Sequence, residues 1–156
     1  MIYQKTTDMV QIKKCTFEHM TKSYPCKEKS VLDGCMIMRQ SIKPEDVQSP
    51  FQVEAYALLF CISGEVNIIS DLRSYTVTPG TLFVYLPNNI IKIDCKKESI
   101  ISGVILAPDY LRKNFLQWNK ISPLFIQTAN NPVITIPTNR KDELIRMLDN
   151  IQERIK

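Results

Sequence analysis

His19 is the only histidine in this 156-residue chain. A Cys/His or Ser/His nucleophilic pair would have to use it, and it lies in the N-terminal segment, outside the strand-like part of the chain. A metal site built on two or three imidazoles is excluded within one subunit. The five cysteines, Cys15, Cys26, Cys35, Cys61 and Cys95, are odd in number and contain no C-x-x-C pair. That argues against a disulfide framework or a zinc site, and Cys61 and Cys95 read as small core residues. The adjacent acids Glu45-Asp46 and Asp142-Glu143, and Asp149, fall in a Pro-flanked loop and on a helix flank. A solvated surface is the natural place for them. What remains is recognition chemistry. Tyr56, Tyr75, Tyr85, Arg39 and Glu54 are the polar side chains able to orient a ligand. The competing reading makes each tyrosine a core ring with its hydroxyl at the rim, and Arg39 and Glu54 exposed strand-end charges.

The elements that must position these groups are short and regularly punctuated. Ala55 to Ile62 ends at Ser63-Gly64, and Val66 to Ile69 ends at Ser70-Asp71. Tyr75 to Thr78 is closed by Pro79-Gly80, and Leu82 to Leu86 by Pro87-Asn88-Asn89. Ile90 to Cys95 and Ile100 to Leu106 complete the series. Runs of this length, rich in Val, Ile, Tyr, Phe and Thr, predict an antiparallel sandwich or barrel. Gly34 to Ile42 reads as a further strand, and Val133 to Ile136 as a short edge strand between prolines. Both faces of Ala55–Ile62 are apolar. That predicts one face toward the barrel interior and the other under a helix. Met1 to Ser23 is compatible with a helix or a strand, and Tyr24 to Asp33 is turn-like.

After Leu106 the period becomes helical. Pro108-Asp109 suits a first turn, and Tyr110, Leu111, Phe115 and Trp118 share a face. Thr138 or Asn139 is expected to cap a second helix, 140–156. Its residues Leu144, Leu148, Ile151 and Ile155 form one apolar seam. This seam either packs on its own barrel or pairs with a second copy across a two-fold axis. No closing glycine follows, which predicts that the chain belongs to a longer protein.

Composition sets broad bounds. Hydrophobic residues at 44% and charged residues at 23% suit one soluble domain with a genuine core. The N-terminus has no basic segment followed by an apolar block, and no run reaches membrane-spanning length, so a cytoplasmic protein without membrane contact is expected. A net charge of +4 without a dense Lys/Arg block does not argue for nucleic-acid binding by these residues.

Three pieces carry a family resemblance: Leu59-Phe60-Cys61-Ile62-Ser63-Gly64-Glu65-Val66, then Tyr75-Thr76-Val77-Thr78-Pro79-Gly80-Thr81-Leu82, then Phe83-Val84-Tyr85-Leu86-Pro87-Asn88. With the junction Leu106-Ala107-Pro108-Asp109-Tyr110-Leu111, they resemble the N-terminal cupin-like sensor and dimerisation domain of AraC-family transcriptional regulators. The resemblance implies a cupin-like double-stranded β-helix, or jelly-roll barrel, over residues 1–107, followed by two α-helices in a dimerisation region, 108–156. It also implies a homodimer through Leu144, Leu148, Ile151 and Ile155, extended by Leu111, Phe115 and Trp118, and a small-molecule effector in the barrel near Tyr56, Tyr75, Tyr85, Arg39 and Glu54. DNA binding would fall to a helix-turn-helix domain beyond residue 156, which this sequence does not contain. Metal-dependent cupins carry histidines and a glutamate at positions that, aligned on Gly64 and Gly80, fall at Phe51, Val53, Ala57 and Ile91. None can ligate, so neither metal nor cofactor is expected, nor an enzyme. The alternatives are a metal-free cupin enzyme acting on a sugar, and a pure dimerisation module with a filled barrel.

Overall fold

The computed structural model describes residues 12–23, 28–46, 49–114 and 127–155. Eleven strands in two sheets dominate them. The first sheet holds β1 (Lys13–Thr16), β4 (Phe51–Glu54), β9 (Ile90–Asp94), β6 (Val66–Ser70) and β7 (Arg73–Val77), in the order β1-β4-β9-β6-β7. The second runs β11-β8-β5-β10-β3-β2. Its members are β2 (Glu28–Leu32), β3 (Cys35–Ile42), β5 (Tyr56–Ser63), β8 (Thr81–Tyr85), β10 (Ser99–Leu106) and β11 (Val133–Thr135). All pairings are antiparallel except β1 with β4, where Lys13 to Thr16 run beside Phe51 to Glu54 in the same direction. This is the mainly β jelly roll expected from the sequence, and helices follow it. Among the described residues no helix is long and apolar enough to cross a membrane.

The sheets face each other across one apolar core. Phe83, Met36, Met38, Val66, Ile68 and Val77 are each at most 2% exposed there. Inward positions alternate along the strands: in β6 Val66 and Ile68 are buried, while Asn67 and Ile69 are half-buried. β5 is covered on both sides. Ala57, Leu59 and Cys61 join the main core, whereas Leu58 and Phe60 join a second cluster with Ile136, Leu144 and Leu148. The helix α3 (Lys141–Ile155) supplies that cover.

The N-terminal segment resolves into both alternatives: β1 and then the short helix α1 (Phe17–Ser23). Thr16 caps α1, its hydroxyl accepting the His19 N–H at 3.1 Å. Residues 28–32, read as turn-like, form the edge strand β2. Asp33 and Gly34, both at positive φ, close the hairpin to β3. An edge strand needs only one ladder and little burial, so its polar sequence gave no strand signal. Thr138 and Asn139 do not cap α3; they lie in a 3-10 turn, Thr138–Arg140, that precedes it. The first C-terminal helix, α2, spans Pro108–Asn114. Phe115 and Trp118 lie outside the described residues.

The β6–β7 hairpin turns on Asp71 (φ 48°) and Leu72 (φ 71°). Aspartate tolerates this region; leucine does so at a cost of about 1–2 kcal/mol. Leu72 is also fully exposed, so its side chain contributes no burial in return. Leu72→Gly is therefore expected to raise stability by about 1 kcal/mol, measured as a higher urea midpoint at unchanged slope. An unchanged or lower midpoint would contradict the strained turn.

Candidate functional site: the barrel interior

The space between the sheets is lined by Met20, Met38, Phe51, Val53, Ala55, Ala57, Leu59, Tyr85, Ile91, Ile93, Ile101 and Ile105. Both sheets contribute, and α1 adds Met20 at one side. The four positions set against cupin metal ligands, Phe51, Val53, Ala57 and Ile91, all lie in this wall. Where a metal cupin places imidazoles, this chain places hydrocarbon. Among the described residues no three His, Cys, Asp or Glu side chains come together. The free volume is about 40 Å³. That is room for a few waters at roughly 10–15 Å³ each, far short of the roughly 300 Å³ at which ligand pockets begin.

Among the described residues Tyr85 is the one polar side chain in the wall, and its hydroxyl is already engaged. It accepts the Val53 N–H at 2.8 Å and donates toward the Asn89 carbonyl at 2.6 Å, with the Val53 carbonyl at 3.2 Å. The phenol thus ties β8 to β4 across the gap between the sheets. Burial pushes its pKa up to about 12, with the Val53 hydrogen bond acting in the opposite sense. The fold therefore holds its proton more tightly than the unfolded chain does. Stability from this group is complete below the ordinary value of 10.0 and is lost as pH rises from there to about 12. Tyr85→Phe is expected to cost about 1–3 kcal/mol at neutral pH, because the Val53 N–H loses its partner. In a spectrophotometric titration it should also delete a phenolate that forms near pH 12. A Tyr85 phenolate forming at the ordinary value of 10.0 in the wild type would contradict this account.

The other expected ligand contacts do not converge on the interior. Tyr75 is half-buried on β7, its ring centroid 5.9 Å from that of Phe83, and it faces a separate polar cleft. Tyr56 is half-buried at the start of β5, opposite Leu106. Glu54 is exposed at the end of β4, beside a shallow depression with Lys14 and Asn88. Arg39 is mid-strand in β3 rather than at a strand end, and donates to Asp149 Oδ1 of α3 at 2.6 Å. Both partners are partly exposed, so the pair contributes at most about 1 kcal/mol; its role is to fix α3 in register. Met20 and Met38 are cavity residues that sequence reasoning missed. The Met-Ile-Met run 36–38 was a usable signal for the second, but nothing local told that α1 would reach the barrel.

The expected dimer residues are placed as follows. Leu111 is 2% exposed and Leu148 7% exposed within the single chain, and Leu144 packs beside Phe60. Leu144 and Leu148 thus lie against their own barrel, because the apolar outer face of β5 needs cover, and Leu111 is buried in α2. Ile151 and Ile155 fall within α3, but their side chains lie outside the described residues. Burial raises the pKa of the Cys35, Cys61 and Cys95 thiols, which fits packing rather than nucleophilic roles.

No family model matches the chain, and no curated protein matches it in sequence. Among solved structures, ToxT from Vibrio cholerae O395, bound to (E)-4-(8-methylnaphthalen-1-yl)but-3-enoic acid, superposes with a TM-score of 0.51 at 13% identity. The match covers 80% of this chain and 51% of that one. A cupin superfamily protein from Desulfitobacterium hafniense DCB-2 gives a TM-score of 0.47 at 18% identity, covering 50% of this chain and 72% of that one. The Clostridium difficile EutQ protein gives 0.44 at 16%, covering 49% and 60%. The chain thus spans about half the length of ToxT and three fifths of EutQ. At such identities the likeness speaks for the fold.

Proposed function

We propose that this chain is the effector-sensing and dimerisation domain of an AraC-type transcriptional regulator, and that its effector is a small, apolar molecule taken into the barrel interior. DNA binding would belong to a helix-turn-helix domain outside these residues, and the protein would act as a cytoplasmic homodimer without catalysing a reaction. The likeness to ToxT, an AraC-family regulator, over four fifths of the chain supports the regulator reading. The ligand bound to ToxT joins an apolar naphthyl group to a carboxylate, and the naphthyl part is of the kind the hydrocarbon wall here would take.

One observation carries the proposal: the strands that wall the cavity also hold α3. On β3, Met38 faces the cavity, and its neighbour Arg39 grips Asp149. On β5, Ala57 and Leu59 face the cavity, and Leu58 and Phe60 pack beneath Leu144 and Leu148. A molecule that parts the sheets must shift these strands, and α3 rides on them. The resting cavity is too small for such a molecule. Met20 and Met38 are unbranched and adaptable, so they are the side chains best able to give way. α1, which carries Met20, follows a four-residue edge strand and meets the core through Phe17 and Met20. The effector would select the opened form, and its influence on α3 is limited by its preference for that form.

The test is a titration with a neutral naphthalene probe, followed by its fluorescence. Saturable binding in the micromolar to millimolar range is expected in the wild type. Ala57→Leu fills the interior and is expected to weaken binding at least about tenfold while the chain stays folded. The small resting volume favours a second reading, a dimerisation module with a filled barrel. No saturable binding of apolar probes would decide for that module. The metal-free sugar enzyme needs an acid/base pair inside the barrel, and among the described residues Tyr85 is the only ionisable group lining it.

A further inference from the structure

A second concavity shares no residue with the barrel interior. It lies beside the β6–β7 hairpin, measures about 250 Å³, and is lined as well by Thr128, Ala129, Asn130 and Pro132. Its wall carries one carboxylate, Asp71, and one guanidinium, Arg73, two positions apart. They do not neutralise each other: the ion pairs among the described residues are Arg39–Asp149 and Arg112–Asp109. Among the described residues Asp71 accepts only a long hydrogen bond, its Oδ1 3.4 Å from the Ile90 nitrogen. Ser70 is only 6% exposed, lines the same cleft, and its hydroxyl makes no hydrogen bond among the described residues. The hydroxyl oxygen is not sealed from solvent, so on the cleft side it can donate to or accept from a bound group.

The charges decide what kind of partner. A simple anion would satisfy Arg73 and face Asp71; a simple cation would do the reverse. A neutral polyol would leave both charges uncompensated. A molecule bearing an ammonium and a carboxylate satisfies both, while Val84 and Leu86 offer an apolar wall for its side chain. The cleft is slightly smaller than the roughly 300–1,000 Å³ of pockets for drug-sized ligands, which suits a smaller molecule. The left-handed backbone at Asp71 and Leu72 fixes the direction in which the carboxylate leaves the hairpin. We propose that this cleft binds a free α-amino acid, its ammonium on Asp71 and its carboxylate on Arg73 and Ser70.

The inference is independent of the effector in the barrel. Isothermal titration of the whole chain with the proteinogenic L-amino acids, a set of monosaccharides and inorganic phosphate tests it. At least one amino acid is expected to saturate at millimolar concentration or below. Its affinity should fall at least about tenfold in Asp71→Asn and in Arg73→Gln, and likewise for its N-acetyl and amide derivatives in the wild type. Both substitutions are at exposed positions, and asparagine tolerates the Asp71 backbone, so circular dichroism spectra should match the wild type. No saturable amino acid, saturation only by a sugar or phosphate, or equal binding in both variants would overturn it. Any of these results would leave the apolar-probe titration untouched.

Discussion

Gly64→Ala is expected to destabilise the chain by roughly 2–5 kcal/mol, enough to consume much of the stability of an ordinary domain. Gly64 sits at φ 83°, between β5 and β6. A Cβ there would stand 2.3 Å from Ser99 Oγ and 2.8 Å from Ser99 Cβ. Ser99 has nowhere to go: it is fully buried, accepts the Glu65 N–H at 3.1 Å, and lies 2.9 Å from the Lys97 carbonyl, to which it donates. The substitution therefore adds left-handed strain of about 1–2 kcal/mol. It then forces either a steric overlap or the loss of hydrogen bonds worth about 1–3 kcal/mol. Urea denaturation measures the loss as a lower midpoint. Ser99→Gly in the same chain should restore part of it, because the overlap disappears while the strain stays. A loss below about 1 kcal/mol in the single variant would show that this turn is not locked by Ser99.

That turn also shows what a sequence can disclose. Ser63-Gly64 and Pro79-Gly80 mark strand ends by chemistry that acts locally, and both fall between strands as expected. Alternation along residues 55–62 revealed that both faces of β5 need cover, because the strand period is fixed by the backbone alone. Residue-level roles were less visible. Arg39 is charged and sits in a strand, which reads as an exposed end; only the return of α3, 110 positions later, supplies Asp149. Tyr85 reads as a rim hydroxyl, yet Val53 of the opposite sheet, 32 positions away, supplies its partner. The cleft beside Arg73 was invisible for the same reason: residues 128–132 arrive from a distant part of the chain with no periodicity to announce where they lie. Chemistry made within one element was legible. Chemistry made between elements was not.

Phe60→Ala is the other large expected effect, and it bears on how the last helix is held. Phe60 is 8% exposed on the outer face of β5, in one cluster with Ile136 and Leu148. Removing a buried phenylalanine ring costs about 3–5 kcal/mol when the surroundings cannot collapse. Here α3 is amphipathic and held to the sheet through one face, so part of the cost can be relieved by its loosening. Two consequences should appear together. The urea midpoint should drop by an amount equivalent to about 3 kcal/mol. Amide exchange along α3 should accelerate far more than along β6 and β9, which lie in the opposite sheet. Protein concentration separates the two ways of holding the helix. If α3 is anchored on its own sheet, faster exchange in the variant is the same in dilute and concentrated solution. If the seam is held by a second copy, concentrating the variant restores protection, because association stabilises by mass action. Protection that recovers with concentration would contradict the anchoring of α3 by Phe60. It would move the link between cavity and helix from the strands of one chain to the interface between two.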